Sequence, residues 1–112
     1  MREVASAVYL DAKVEDYIVD IVFATREPRM YDLEKLEKLI DYGASPRATI
    51  YLARAARVHA FMEGRAYVTP HDVKRVGPDV LRHRVLVTYE AEAEGVTPDR
   101  LVQELIDRIA VP

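Results

Sequence analysis

The stretch GASPRA, residues 43–48, marks the beginning of the helix around which the rest of the chain is organised. Ser45 is a helix-capping residue, and Pro46 suits the first helical position, where a backbone N–H would be unpaired anyway. Gly64 is a typical residue to follow a helix. The sequence therefore predicts a helix from Pro46 to about Glu63.

The residues of this helix are apolar on most of its circumference, which is typical of a central helix packed against several neighbours. At about 100° per residue, the apolar positions run nearly all the way round; they are Ile50, Tyr51, Leu52, Ala53, Ala55, Ala56, Val58, Ala60, Phe61 and Met62. The exception is a stripe of arginines, Arg47, Arg54 and Arg57, within about 80° of one another. Arg47 is unusual, because a cation in the first turn opposes the helix dipole.

The other helices are predicted from capping residues and from apolar spacing of three and four. Asp11 begins a helix that runs to about Arg26, and its buried face is expected to be Val14, Tyr17, Ile18, Ile21 and Val22. Asp32 begins a short helix with Leu33, Leu36, Leu39 and Ile40 on one side, ended by Gly43.

The second half of the chain repeats a Thr-Pro helix start. Thr69 begins one helix, with Asp72 completing a capping box, and Thr97 begins the last. Gly77-Pro78 is expected to interrupt the first of these. The apolar face of the last helix is Leu101, Val102, Leu105, Ile106 and Ile109.

Residues 84–89, RVLVTY, have the β-branched character of a short strand, and Tyr67-Val68 is its one obvious partner. The fold class predicted is therefore all-α, a small helical bundle of about five helices with at most a minimal two-stranded β element. The 112 residues are expected to form a single domain.

Composition excludes several classes of protein. The net charge is −3, which argues against a nucleic-acid binder, and there is no cysteine for disulfides or thiolate metal sites. No apolar run is long enough for a membrane span, so no membrane partner is expected. A cytoplasmic location is compatible with this composition.

Catalytic motifs are absent from the sequence. There is no G-x-x-x-x-G-K-[ST] and no H-E-x-x-H, and His59, His71 and His83 fall on different elements. No metal site is expected, and His59 is expected to be a packed or half-exposed histidine. The acidic YEAEAEG, residues 89–95, and the basic RHRV, residues 82–85, are typical of surface segments and salt bridges. No catalytic residue is therefore expected, and the chain alone is not expected to be an enzyme.

Three ordered segments carry a family resemblance: 43–48 (GASPRA), 67–73 (YVTPHDV) and 80–85 (VLRHRV). Together with the alanine-rich helix after the first segment and the acidic segment after the third, they resemble the C-terminal lid of MoxR-family AAA+ ATPases, from about Ala12 to the end. In that family the lid is a small helical domain that follows a Rossmann-like ATPase core. The resemblance implies that residues 1–10 are the tail of a helix from the core or from a linker.

The resemblance also implies a role for one residue. Arg47 matches the sensor-2 arginine, which reaches from the lid to the γ-phosphate of ATP on the core, while Ser45 and Pro46 position it. Free N–H groups at the helix start are expected to assist an anion there. ATP and Mg²⁺ are the cofactors implied for the full-length protein, and neither is expected bound to this fragment. The implied partners are the AAA+ core of the same chain, neighbouring subunits of a ring and an unknown client protein of a chaperone-like motor.

Two alternatives stay open at this point. In one, the chain is a stand-alone helical module that binds a protein or a nucleic acid and has no nucleotide role. In the other, Arg47 forms a salt bridge within the domain, for example to Asp41 or Glu63. The roles of Arg26, Arg54, Arg57 and Arg82 are not assigned.

Overall fold

Six α-helices and two short strands make up residues 8–112, the part of the chain that the computed structural model describes. The helices are α1 (Ala12–Arg26), α2 (Glu34–Glu37), α3 (Ala48–Met62), α4 (Pro70–Leu81), α5 (Tyr89–Ala93) and α6 (Pro98–Arg108). A 3-10 helix spans Pro28–Tyr31, and the strands are β1 (Ile40–Tyr42) and β2 (Leu86–Val87). The predicted all-α bundle with a minimal β element is confirmed.

The capping residues begin three helices as predicted. Asp11 is the N-cap of α1, and Thr69 and Asp72 form the expected capping box at α4. At α6 the Thr97 hydroxyl accepts the N–H of Arg100 at 3.2 Å. Each cap gives a partner or a favourable geometry to backbone groups that a helix start leaves unpaired.

The segment between α1 and α3 differs from the prediction. Asp32 lies in the left-handed region, with φ 58°, and ends the 3-10 helix instead of capping a helix. The helix that follows, α2, has four residues, and Ile40 belongs to β1. The local pattern is compatible with a helix, but pairing with a distant strand overrides it.

The predicted strand in residues 84–89 is present as β2, but its predicted partner is wrong. β2 pairs antiparallel with β1, Ile40 opposite Val87 and Tyr42 opposite Leu86. Tyr67 instead forms a parallel bridge with Tyr9. Composition can indicate that a segment forms a strand. Which segment it pairs with depends on how the helices pack, because packing brings the two backbones within hydrogen-bonding distance.

Helix α4 continues through Gly77 and Pro78, so the predicted interruption is wrong. Gly77 is buried, and a Cβ on it would lie 2.6 Å from Cδ1 of Ile106 on α6. The missing side chain therefore allows α6 to pack closely against α4. Pro78 lies in the last turn of α4, where it removes one backbone hydrogen bond of the helix.

The core lies between α1, α3, α4 and α6, and α3 packs most extensively against α4. All five apolar positions predicted for α1 are buried, as are those predicted for α6. The largest fully buried side chains include Tyr17, Ile18, Ile21, Leu52, Leu81, Leu101, Leu105 and Ile106.

The prediction that α3 is covered on most sides is wrong for the described residues. Its buried residues are Ala48, Leu52, Ala56 and Ala60, which form one narrow face at a spacing of four. Ile50 and Met62, on the other side, are 56% and 73% exposed. The small alanines bring α3 close to its neighbours on one side, and the apolar residues opposite them face outward.

The amino-terminal ten residues are expected to be the tail of a preceding helix, and of these, residues 1–7 lie outside the described part of the chain. Val8 is buried, and Tyr9 pairs with residues 66–68 through backbone hydrogen bonds. Among residues 8–112, no helix has both the length and the hydropathy needed to cross a membrane.

Candidate functional site

The GASPRA segment forms a turn that leads into α3. Pro46 and Arg47 lie in this turn, and α3 begins at Ala48, two residues after the predicted start. Ser45 is not the N-cap of α3, because Arg47 occupies that position without a side-chain capping bond. The hydroxyl oxygen of Ser45 instead accepts the N–H of Arg47 at 3.3 Å, within the turn. The carbonyl of Ser45 also accepts the N–H of Ala48 at 2.8 Å.

The backbone N–H groups of this turn are already bonded, so the expectation of free N–H groups for an anion is wrong. Thr49 donates to the carbonyl of Pro46 at 3.1 Å, and Ile50 donates to that of Arg47 at 3.0 Å. The tight turn satisfies internally the donors that an ordinary helix start leaves open. The side chain of Arg47 is a charged donor that remains exposed at this helix start.

The guanidinium of Arg47 is exposed and forms no salt bridge within residues 8–112. The salt bridge to Asp41 or Glu63 that the sequence left open is not formed between the described residues; the carboxylate of Glu63 faces His59 at 3.6 Å. Four other arginines, by contrast, pair with carboxylates; they are Arg29, Arg65, Arg82 and Arg108. Arg47 is thus a positive charge at the positive end of a helix, where an anion would be favourable.

Arg47 lies at one end of what we call the open face of α3. This face consists of Ile50, Tyr51, Arg54, Val58 and Met62, all of them exposed. Large apolar side chains that share one exposed helix face are typical of a surface that binds another protein surface. The guanidinium of Arg84, from the RHRV segment, lies 4.4 Å from the ring centroid of Tyr51 and adds a second cation beside it.

The arginines whose roles the sequence left unassigned occupy different environments. Arg54 is exposed on the open face, whereas Arg57 is half-buried with an Nε atom that has no hydrogen-bond partner among the described residues. Arg82 bonds to Asp79 and lies 3.1 Å from Asp99, so it joins α4 to α6. The salt-bridge interpretation of the basic cluster is therefore confirmed for Arg82.

The end of α1 holds the segment just before Arg47. The Thr25 hydroxyl accepts the N–H of Ala44 at 2.9 Å, and Arg26 donates to the carbonyl of Ala44 at 3.5 Å. Sequence reasoning missed Thr25. Its spacing after Ile21 and Val22 places it on the buried face of α1. A threonine among the apolar residues of that face was a signal that its hydroxyl has a buried partner.

A second polar cluster lies at the other end of α3. Asp72 is fully buried and bonds to the N–H of Thr69 at 2.8 Å, to Nδ1 of His59 at 2.6 Å and to Arg65. Burial alone would raise the pKa of Asp72, but the bonds from Thr69 and His59 and the charge of Arg65 outweigh burial and lower it. His59 is the half-buried, packed histidine predicted.

This cluster joins α3 to α4 and offers no open donor set to a metal. His71 lies near it, with its ring centroid 6.2 Å from that of His59. Among residues 8–112 no group of three or more His, Asp or Glu side chains is placed to hold a metal ion. The acidic YEAEAEG segment forms the short helix α5 on the surface, with only Ala91 buried.

The sequence matches a known family along most of its length. Residues 35–105 match the AAA lid domain family. The chain is 38% identical over 112 residues to Chaperone MoxR1 of Mycobacterium tuberculosis, covering 100% of the chain and 30% of that protein. It is 32% identical to Protein MoxR of Methylorubrum extorquens over 112 residues, covering 95% of the chain and 32% of that protein.

A solved structure is similar as well. The crystal structure of a proposed ATPase from Cytophaga hutchinsonii has a TM-score of 0.92 and 40% sequence identity to the chain. The match covers 98% of the chain and 33% of that protein. The chain thus spans about a third of the length of the relatives that it matches.

Proposed function

The chain belongs to the AAA lid domain family and corresponds to the C-terminal lid of MoxR-like AAA+ ATPases, and from this we propose that it senses the γ-phosphate of ATP through Arg47. Arg47 holds the lid closed on the ATPase core while the γ-phosphate is present, and the lid is released when the phosphate leaves. The nucleotide state would thereby set the lid position in a chaperone-like motor.

The observation that carries this proposal is the unpaired, exposed guanidinium of Arg47 at the start of α3. The planar guanidinium makes strong, charge-assisted hydrogen bonds to phosphate oxygens. The N-terminal end of α3 adds a favourable dipole for the same anion. Ser45 and Pro46 fix the turn from which the side chain projects, which agrees with the positioning role that the family resemblance implies for them.

The proposed partners are the AAA+ core of the same polypeptide and neighbouring subunits of a ring. The open face of α3 supports this, because it places exposed apolar side chains next to Arg47. A surface that packs against the core would cover those side chains and bring Arg47 to the nucleotide at the same time. The client protein is a further partner.

The proposed cofactors are ATP and Mg²⁺, both held by the core. ATP would supply the γ-phosphate, whose bond to the β-phosphate would be hydrolysed on the core, and Arg47 is the residue of this chain proposed to contact it. A cytoplasmic location belongs to the same proposal, since that is where ATP is supplied.

The experiment is to measure ATP turnover in the full-length protein with Arg47→Ala. Loss of a charge-assisted bond to phosphate is expected to lower turnover about ten- to hundredfold. Arg47→Lys keeps the charge and should recover part of the rate. Arg100→Ala removes an exposed arginine from α6 and is the matched control, with turnover expected at the wild-type value.

Wild-type turnover in Arg47→Ala would refute the sensing role of Arg47. The stand-alone module that the sequence left open makes a separate prediction, a complex with duplex DNA whose affinity falls steeply as salt rises. Equal losses in Arg47→Ala and Arg100→Ala would show an unspecific effect of charge and would also contradict the proposal.

A further inference from the structure

The last turn of α1 is bonded to the segment that precedes Arg47. Thr25 is buried, at 1% exposure, and its hydroxyl donates to the carbonyl of Val22 at 2.6 Å while accepting the N–H of Ala44 at 2.9 Å. Both hydroxyl functions are thus used, one within α1 and one across to the loop. The hydroxyl is the acceptor for a fully buried N–H, which would otherwise have no partner among the described residues.

Two further contacts join the last turn of α1 to residues 43–44, and we call this region of contact the junction. Gly43 lies against the backbone of α1, where an added Cβ would be 2.3 Å from the carbonyl oxygen of Thr25. Arg26 donates to the carbonyl of Ala44 at 3.5 Å. Glycine is therefore required at position 43 for close approach of the two backbones, and both polar groups of the Ala44 backbone face α1.

The residues between this junction and α3 are held at their two ends and by the hydrogen bonds of the turn itself. Ser45, Pro46 and Arg47 are exposed, whereas Ala44 on one side and Ala48 on the other are buried. The direction in which Arg47 projects therefore depends on the bonds of the turn and on where Ala44 is fixed. A side chain that is already positioned loses less conformational freedom when it binds its ligand.

We propose that Thr25 is a positioning residue for Arg47. Its hydroxyl fixes Ala44 against α1, so that Arg47 moves with α1 as one body. The inference rests on the proposed function in so far as Arg47 binds phosphate, but the anchoring itself is a property of this chain. Loss of the hydroxyl would remove the bond between Ala44 and α1 without removing any group proposed to touch the nucleotide.

The first test measures the anchoring in the full-length protein without using activity. Thr25→Val keeps the branched shape and removes the hydroxyl, and Thr25→Ser restores it. Backbone hydrogen exchange of residues 43–48 is expected to be about tenfold faster in Thr25→Val and near wild type in Thr25→Ser. Thr69→Val is the matched control, because it removes a hydroxyl from the capping box of α4, near the other end of α3.

The second test asks whether Thr25 affects ATP turnover through Arg47. Turnover of ATP in Thr25→Val should fall about tenfold, with Thr25→Ser close to wild type. In an Arg47→Ala background, Thr25→Val should cause no further loss, since there is no side chain left to position. A general effect on folding would instead lower turnover by the same factor in both backgrounds.

Unchanged exchange of residues 43–48 in Thr25→Val would overturn the anchoring, and equal losses in both backgrounds would overturn the link to Arg47. If Arg47→Ala itself has wild-type turnover, the proposed function fails, and the exchange experiment alone decides the anchoring. Should Thr25→Val not fold, Thr25→Ala removes the same hydroxyl without adding volume and is measured in the same way.

Discussion

Asp72 shows how one buried carboxylate can connect several elements. It caps α4 through Thr69, receives His59 from α3 and binds Arg65 from the connection between the two helices. A buried charge is costly unless it is paired and hydrogen-bonded, and here it is both. Asp72 therefore fixes the crossing of α3 and α4 at the end remote from Arg47.

Asp72→Asn should lower the free energy of unfolding near pH 7 by about 3 kcal/mol, because Arg65 loses a buried charge partner. The pKa of Asp72 is lowered below its ordinary value of 3.8, so its contribution is complete above that value and is lost as the pH falls through the lowered pKa. Urea unfolding over a pH series measures this. The difference between variant and wild type should narrow in acid, and a difference that stays constant would contradict the assignment.

At the scale of the element, α3 has two opposite faces. The buried face is built of alanines around Leu52, and the open face carries Ile50, Tyr51, Val58 and Met62. Hydrophobicity alone does not distinguish these faces, because both are apolar in the sequence. What separates them is that α4 and the other core helices pack on one side only.

Leu52→Ala should destabilise the chain by about 2–5 kcal/mol, because it leaves a cavity at a fully buried position. Ile50→Ala lies on the same helix, on the open face, and is the matched control, with an expected change within about 0.5 kcal/mol. Chemical denaturation followed by circular dichroism compares the two. Equal midpoints for Leu52→Ala and wild type would show that the core is not centred on this face.

At the scale of the whole lid, one side of α3 is exposed and the other side is packed against the core. Arg47 and the open face of α3 lie on one helix surface, and the packed core lies behind it. In a domain that closes over a nucleotide held by another domain, the contact surface has to be exposed whenever the domain stands alone. The apolar residues of α3 are consistent with such a surface.

Methionine oxidation tests this surface. Met62 on the open face is 73% exposed and Met30, in the 3-10 helix, is 76% exposed, so both should oxidise readily in the 112-residue chain. In the full-length protein with a non-hydrolysable ATP analogue, Met62 should oxidise several-fold more slowly while Met30 is unchanged. Mass spectrometry of the sulfoxides gives both rates. Equal rates for Met62 in the two forms would place the contact elsewhere.

The sequence was informative where local chemistry decides the structure. The caps at Asp11, Thr69 and Thr97 and the buried faces of α1 and α6 follow from spacing and capping residues, and the structure confirms them. It failed at residues 32–43 and at Gly77-Pro78, where distant segments override local preference. The sensing role of Arg47 was implied by family resemblance and stays a prediction, supported by its lack of a partner among the described residues.

The sequence by itself determined the helical class, the starts of α1, α4 and α6, and the family, because caps, apolar spacing and short motifs each depend on residues that are close together in the chain. Only the tertiary structure decided that β1 pairs with β2, that α4 runs through Pro78, and that Thr25 holds Ala44 beside Arg47. Each of these depends on residues far apart in the chain. Such contacts form because the helices pack in one particular arrangement, and that arrangement is not encoded in any short segment.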